Sequence, residues 1–201
     1  VSEIELLRLV EELRQRINRL ESAQSIGPMA VWDDLPPNSV TVGGGASAPS
    51  FTAYNGNLRA YEFVGTGPTA KDIQMAWQLT HSWLEGSIIV PHIHLYVPNS
   101  GTGGNVRFYF EYTWVNVNGI EGATSTTLGT LSVPVGAGNQ HKILELSGLV
   151  GVGKTLSSIL SARLYRDPAD PFDTFGASVW LKAADIHRQM DSLGSRQEYI
   201  K

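Results

Sequence analysis

The chain of 201 residues has no cysteine. That excludes a disulfide framework, thiol catalysis and any cysteine-ligated zinc, while saying nothing firm about compartment. Charge is also sparse: Asp, Glu, Lys and Arg make up 17%, with a formal net charge of −4. A mildly acidic balance argues against a general nucleic-acid binder or an anionic-membrane binder, so no nucleic acid and no membrane are expected as partners. No run approaches the ~20 apolar residues that cross a bilayer. The N-terminal stretch shows neither the basic start nor the small-residue cleavage site of a signal peptide. What is abundant is glycine, 21 residues, which suits short strands and turns better than helices.

The first 25 residues form an exception, with no Gly or Pro and many Glu, Arg and Leu. Leu6, Val10, Leu13, Ile17 and Leu20 recur at 4-3-4-3 spacing. This is a heptad seam with Val10 and Ile17 at a and the leucines at d. An amphipathic helix lying on a globular surface is the plain alternative. It is weakened because Gly27 and Pro28 end the helix before any core can receive it. About three heptads are marginal alone, so the helix needs identical neighbours. β-branched residues at a with Leu at d lean toward a dimer. Against that, "RINRLE" matches the short trimerisation signature R-h-x-x-h-E. Arg16 at g reaches Glu21 at e of the next chain while its methylenes cover the seam. The expectation is a homotrimeric parallel coiled coil.

Residues 27–50, with four prolines and three consecutive glycines, read as an extended linker arm. After Phe51 the pattern becomes one of short alternating segments. In "DIQMAWQL", Ile73, Met75, Trp77 and Leu79 alternate with polar or small residues, as in a half-buried strand. "NVRFYFEYTWVNVNG" and "LSSILSARLYRD" repeat the idea. The class expected is mainly β, a jelly-roll-like antiparallel β-sandwich with an N-terminal parallel coiled-coil helix. Its divisions are a stem at 1–26, an arm at 27–50 and a head at 51–201.

"IIVPHIHLYV" places His92 and His94 at alternate positions, hence on one face of a strand. The turn signal "PNSGTGG" predicts a hairpin of residues 87–97 with 106–117. A register in which paired numbers sum to 203 sets Ile93 opposite Phe110 and Leu95 opposite Phe108. It gathers the large apolar residues on one face. The other face then pairs His92 with Glu111, His94 with Tyr109 and Tyr96 with Arg107. The histidines are expected on a polar or intersubunit face.

Three strings suggest chemistry. "GLVGVGKT", Gly148 to Thr155, satisfies the phosphate-loop pattern letter for letter. A working loop needs a helix after it, whereas Leu160, Ala162 and Leu164 alternate as in a strand. The expected reading is a β-turn with an exposed Lys154. "GSIIVPHIH" resembles the first half of a cupin metal motif, but Pro98 and Asn99 stand where its Glu belongs. In the second half, four residues instead of two separate Gly136 from His141. The candidate metal ligands are therefore His92, His94 and Glu111, a set that suits zinc or iron as cofactor. A cupin-like metal enzyme using this strand is the alternative function. Hydrolytic catalysis has no support: nothing resembles a nucleophile elbow.

Several strings taken together resemble a group of bacteriophage and prophage proteins regarded as virion structural components. They are "VWDDL", "QLTHSWLEGSIIVPHIHLYVPNSGTGGNVRFYFEYTWVNVNG", "LYRDPADPFDTFG" and "ADIHRQMDSLGSRQEYIK". The resemblance runs from about Trp32 to the C-terminus. It implies a fibre, spike or decoration protein of the virion, attached to head or tail, and no catalytic residues. The partners implied are further copies in a homotrimer, other virion proteins, and a host cell-surface receptor or glycan. Some phage fibre and spike tips bind iron on a three-fold axis through His-x-His strands, and the spacing of His92 and His94 matches that arrangement.

Overall fold

In the computed structural model residues 3–24 and 31–194 are described, with helix side chains described at residue 5 and residues 8–17. The N-terminal segment forms one helix, α1 (Glu3–Gln24). Straight-chain Glu, Arg and Leu with no Gly or Pro favour that conformation over any other. Eleven strands follow: β1 (Val31–Leu35), β2 (Ser39–Val42), β3 (Ser50–Asn55), β4 (Leu58–Phe63), β5 (Lys71–Gln78), β6 (Ile89–Val97), β7 (Gly104–Val115), β8 (Ser125–Val133), β9 (Gln140–Glu145), β10 (Ile159–Arg166) and β11 (Val179–Met190). A short 3-10 turn, Gly45–Ser47, precedes β3.

They make two antiparallel sheets. The six-stranded sheet runs β3-β4-β11-β6-β9, with β1 paired to the far end of β11; the five-stranded sheet runs β2-β5-β10-β7-β8. β11, twelve residues long, holds the first sheet together. One edge of it pairs with β4 through Val179–Leu181 and with β1 through Ile186–Met190, and the other edge pairs with β6. From β5 onward the chain alternates between sheets except at the β7–β8 pair, the jelly-roll-like habit of an antiparallel sandwich.

The core lies between the sheets. Phe63, Trp77, Phe108, Phe110, Ile93 and Leu95 are essentially without solvent contact. Phe63 and Phe108 meet edge to face at 5.0 Å, and Trp77 meets Phe110 at 5.9 Å. Each such side chain contributes roughly 1.5–3 kcal/mol by burial. No described helix is long and apolar enough to cross a membrane.

Two expectations are corrected here. β6 and β7 do not form a hairpin: β6 pairs with β11 and β9, and β7 with β10 and β8. Ile93 and Leu95 still share a core with Phe108 and Phe110, but across the two sheets and not along one. Alternation sets which face is apolar; it is equally satisfied by a strand beside or a strand opposite. Within the stretch 27–50, the described residues 31–50 are likewise no linker arm, and residues 27–30 lie outside the described residues. Residues 31–35 join β11, residues 39–42 join β5, and Leu35 packs against the core. The body of the fold therefore begins at β1, not at residue 51. Prolines and glycines end these short strands without keeping the chain out of the sheets.

Candidate functional site

The outer face of the six-stranded sheet gathers most of the histidines. On β6 the odd positions Ile89, Pro91, Ile93, Leu95 and Val97 are buried toward the core, so His92 and His94 point to the other side. β11 lies antiparallel beside it, with Asp185 paired to His92 and Ala183 to His94. Paired residues of neighbouring strands project to the same face, so Asp185 and His187 join the histidines of β6. On the next edge of β11, Asp34 of β1 pairs with His187. On the other edge of β6, His141 of β9 pairs with Tyr96.

This register brings four ligand-bearing side chains together: one nitrogen or oxygen each from Asp34, His92, Asp185 and His187 lies within 4.8 Å of the others. His187 Nε2 is 2.6 Å from Asp34 Oδ1, and His92 Nε2 abuts Asp185 Oδ1. The His92 and His187 rings are 4.0 Å apart between centroids. His94 Nε2 is 3.5 Å from Asp185 Oδ2, and His94 Nδ1 is 2.8 Å from His141 Nε2. That last contact needs one ring nitrogen to donate and the other to accept, so the two imidazoles hold complementary tautomers when neutral.

Burial is graded across the group: side-chain exposure is 2% at His92, 13% at Asp185, 38% at His187 and 61% at Asp34. Loss of water lowers the His92 pKa, with the Asp185 carboxylate opposing and the His187 and His94 rings adding to the effect. Loss of water raises the Asp185 pKa, against the pull of His92. Both shifts disfavour charge at the buried end of the cluster. Two imidazoles and two carboxylates form a nitrogen and oxygen donor set of the kind that holds zinc or iron(II).

Of the ligands expected from sequence, His92 and His94 share this face and Glu111 does not. Glu111 lies on β7, in the other sheet, and its side chain faces out from that side. There it accepts from Thr124 Oγ1 at 3.0 Å and stands 3.5 Å from Arg163 Nη1. The whole thickness of the sandwich, about 10 Å between sheets, separates it from the histidines. His92 with Glu111, His94 with Tyr109 and Tyr96 with Arg107 are thus not neighbours, and the cupin-like triad is not assembled. His141, set aside on spacing, does reach His94. Asp34, Asp185 and His187 were missed. "ADIH" carries a readable signal, an Asp and a His at alternate positions of a strand, but only the pairing of β11 with β6 shows that they meet His92.

The phosphate-loop string is a structural connection. Leu149 forms a two-way bridge with Ile89, and β10 follows the loop with no intervening helix. Lys154 is not exposed as expected. It donates to the Trp114 carbonyl at 2.5 Å and sits 5.9 Å from the Trp114 ring centre. Lys154→Ala is accordingly expected to cost about 1 kcal/mol of stability, the loss of one charge-assisted hydrogen bond at a half-exposed position. Urea unfolding measures this, and an unchanged midpoint would show the contact to be without weight.

No family model matches the chain, and no curated protein matches it. Solved structures similar to it include a family 22 carbohydrate-binding module and a xylan-binding domain. The family 22 carbohydrate-binding module of Clostridium thermocellum Xyn10B is 13% identical with a TM-score of 0.34, over 85% of this chain and 92% of that chain. The CBM22-2 xylan-binding domain of Paenibacillus barcinonensis Xyn10C is 12% identical with a TM-score of 0.39, over 83% and 94%. A carbohydrate-binding module specific for non-crystalline cellulose, CBM28, is 10% identical with a TM-score of 0.34, over 84% and 94%. Likeness of this degree says nothing of ligand.

Proposed function

We propose that the protein is a structural component of a bacteriophage virion: a homotrimer in which α1 is the stem and the β-sandwich is the head. The carrying observation is that Val10, Leu13 and Ile17 of the heptad seam are 41%, 49% and 51% exposed in the single chain. An apolar stripe of that kind on a free helix is stable only when copies of it pack together. Arg16 is also exposed, as the inter-chain role requires, while the side chains of Leu6, Leu20 and Glu21 lie outside the described residues. The virion setting rests on the resemblance of "VWDDL", "LYRDPADPFDTFG" and the long central string to phage structural proteins. In this reading the chain is not an enzyme. The head meets a virion neighbour or a host surface, as a fibre, spike or decoration protein does.

The parent protein is expected to have the mass of three chains in solution at micromolar concentration. Leu13→Gln with Ile17→Gln should reduce it to a folded monomer, with the head's near-ultraviolet circular dichroism unchanged. Light scattering after gel filtration reads both. A parent protein that stays monomeric removes the stem from the account. Antibody labelling of virions tests the setting, and absence of label from every particle component would refute it.

A further inference from the structure

We propose that Asp34, His92, Asp185 and His187 form a site, within one chain, for a single divalent transition-metal ion of the zinc class. The arrangement differs from a pair of ordinary surface ion pairs in three respects. The donor atoms of all four residues already lie within 4.8 Å of one another. Ligand distances of about 2.0–2.2 Å in a tetrahedron require separations of about 3.3–3.6 Å, so closure on an ion needs only side-chain adjustment.

The second respect is the state of the buried end. His92 is 2% exposed, yet its Nδ1 has no hydrogen-bond partner, and Asp185 Oδ1 also lacks one although it abuts His92 Nε2. Buried polar atoms are nearly always satisfied, and leaving a carboxylate oxygen and an imidazole face to face without a hydrogen bond is costly. An ion at that place, with His92 Nε2 as the adjoining ligand, gives Asp185 Oδ1 the partner it lacks. Third, the charges close. Two carboxylates neutralise a divalent ion, and imidazoles bind it as neutral ligands. His94, 3.5 Å from Asp185 Oδ2, is placed to hold that carboxylate in orientation from outside the ligand set.

The four ligands come from three strands, β1, β6 and β11. An ion there fastens β1, the first strand after α1, to the middle of the six-stranded sheet. Its role is thus to hold the first strand of the head in its sheet, and it would do so whether or not the protein belongs to a virion.

The test uses the full chain, freed of any affinity tag, stripped with a chelator and titrated with zinc sulfate by calorimetry. One zinc per chain is expected. At free zinc about a hundredfold above Kd, the thermal midpoint should rise by about 5–10 °C. Asp34→Asn and His187→Gln, at the exposed end of the site, should fold as the parent does without metal and bind zinc at least about a hundredfold more weakly. Glu111→Gln should bind as the parent does. No saturable binding below millimolar zinc would overturn the proposal. So would one zinc per three chains, or full affinity in both site variants. A trimer that binds no zinc would overturn this site alone; a monomer that binds one zinc would overturn the stem alone.

Discussion

Arg166→Met is expected to lower the free energy of unfolding by about 3–5 kcal/mol. Arg166 ends β10 and is completely buried, as is its partner Asp173. Its Nε and Nη2 donate to the two Asp173 oxygens at 2.8 Å each. The remaining donors reach the carbonyls of Phe63 at 3.1 Å, Ala177 at 3.0 Å and Phe175 at 2.5 Å. One guanidinium therefore binds the end of β4 in one sheet, the end of β10 in the other, and the loop that leads into β11. Methionine keeps much of the volume but leaves a buried carboxylate with only the Arg107 amide, at 3.0 Å, among its former donors. Arg166→Lys retains the charge and loses the planar fork, so it too should be clearly destabilising. The double change Arg166→Met with Asp173→Leu should cost less than the sum of the two single changes, because removing both charges removes the unpaired one. Chemical denaturation of all the variants supplies the comparison. A midpoint for Arg166→Met within error of the parent's would mean that the network contributes nothing net.

Gly151→Ala is expected to cost about 3 kcal/mol, the upper end for overfilling a packed site. Gly151 is buried in the loop whose letters imitate a phosphate-binding motif. A methyl group there would overlap the backbone carbonyl of Ser87 and lie 2.9 Å from Trp83 Cζ2. Neither neighbour yields easily. Trp83 is fully buried, and the backbone on either side of the contact is tied by the Ile89–Leu149 hydrogen bonds of 2.8 and 3.1 Å. Gly148→Ala is the internal comparison. Its added methyl would meet the Ile88 side chain at 2.6 Å from Cδ1, a flexible end that can rotate aside. That change should cost about 1 kcal/mol or less. Equal tolerance of both substitutions, read by thermal unfolding, would show that the close approach of loop and strand is not what keeps Gly151.

These two positions also show what the motif letters serve in place of phosphate binding. In "GLVGVGKT" Gly148 and Gly151 serve close packing against Ile88, Ser87 and Trp83, Gly153 serves a turn with φ of +78°, and the lysine serves the Trp114 carbonyl. A pattern of letters carries the same composition for phosphate and for packing. Only the element that follows separates the two, and the alternation of Leu160, Ala162 and Leu164 already indicated a strand.

Local periodicity determined a good deal by itself. The heptad spacing and the lack of Gly and Pro specified α1, and two-residue alternation specified β5, β6, β7 and β10 and the inward set on each. It also placed His92 and His94 on the face away from the core, because parity along a strand follows from pleating and depends on no partner. What it left open was pairing. β6 beside β7 and β6 across from β7 bury the same apolar residues, so the hydrophobic term does not choose between them. Closure of two sheets around one core chose. It set β11 against β6, drew residues 31–35 and 39–42 into the sheets, and carried Glu111 to the opposite surface. The cluster of Asp34, His92, Asp185 and His187 joins residues 153 positions apart at the extremes (187 against 34). Contact at such separation is a property of strand order, which is settled by the packing of the whole chain and by no stretch of it alone.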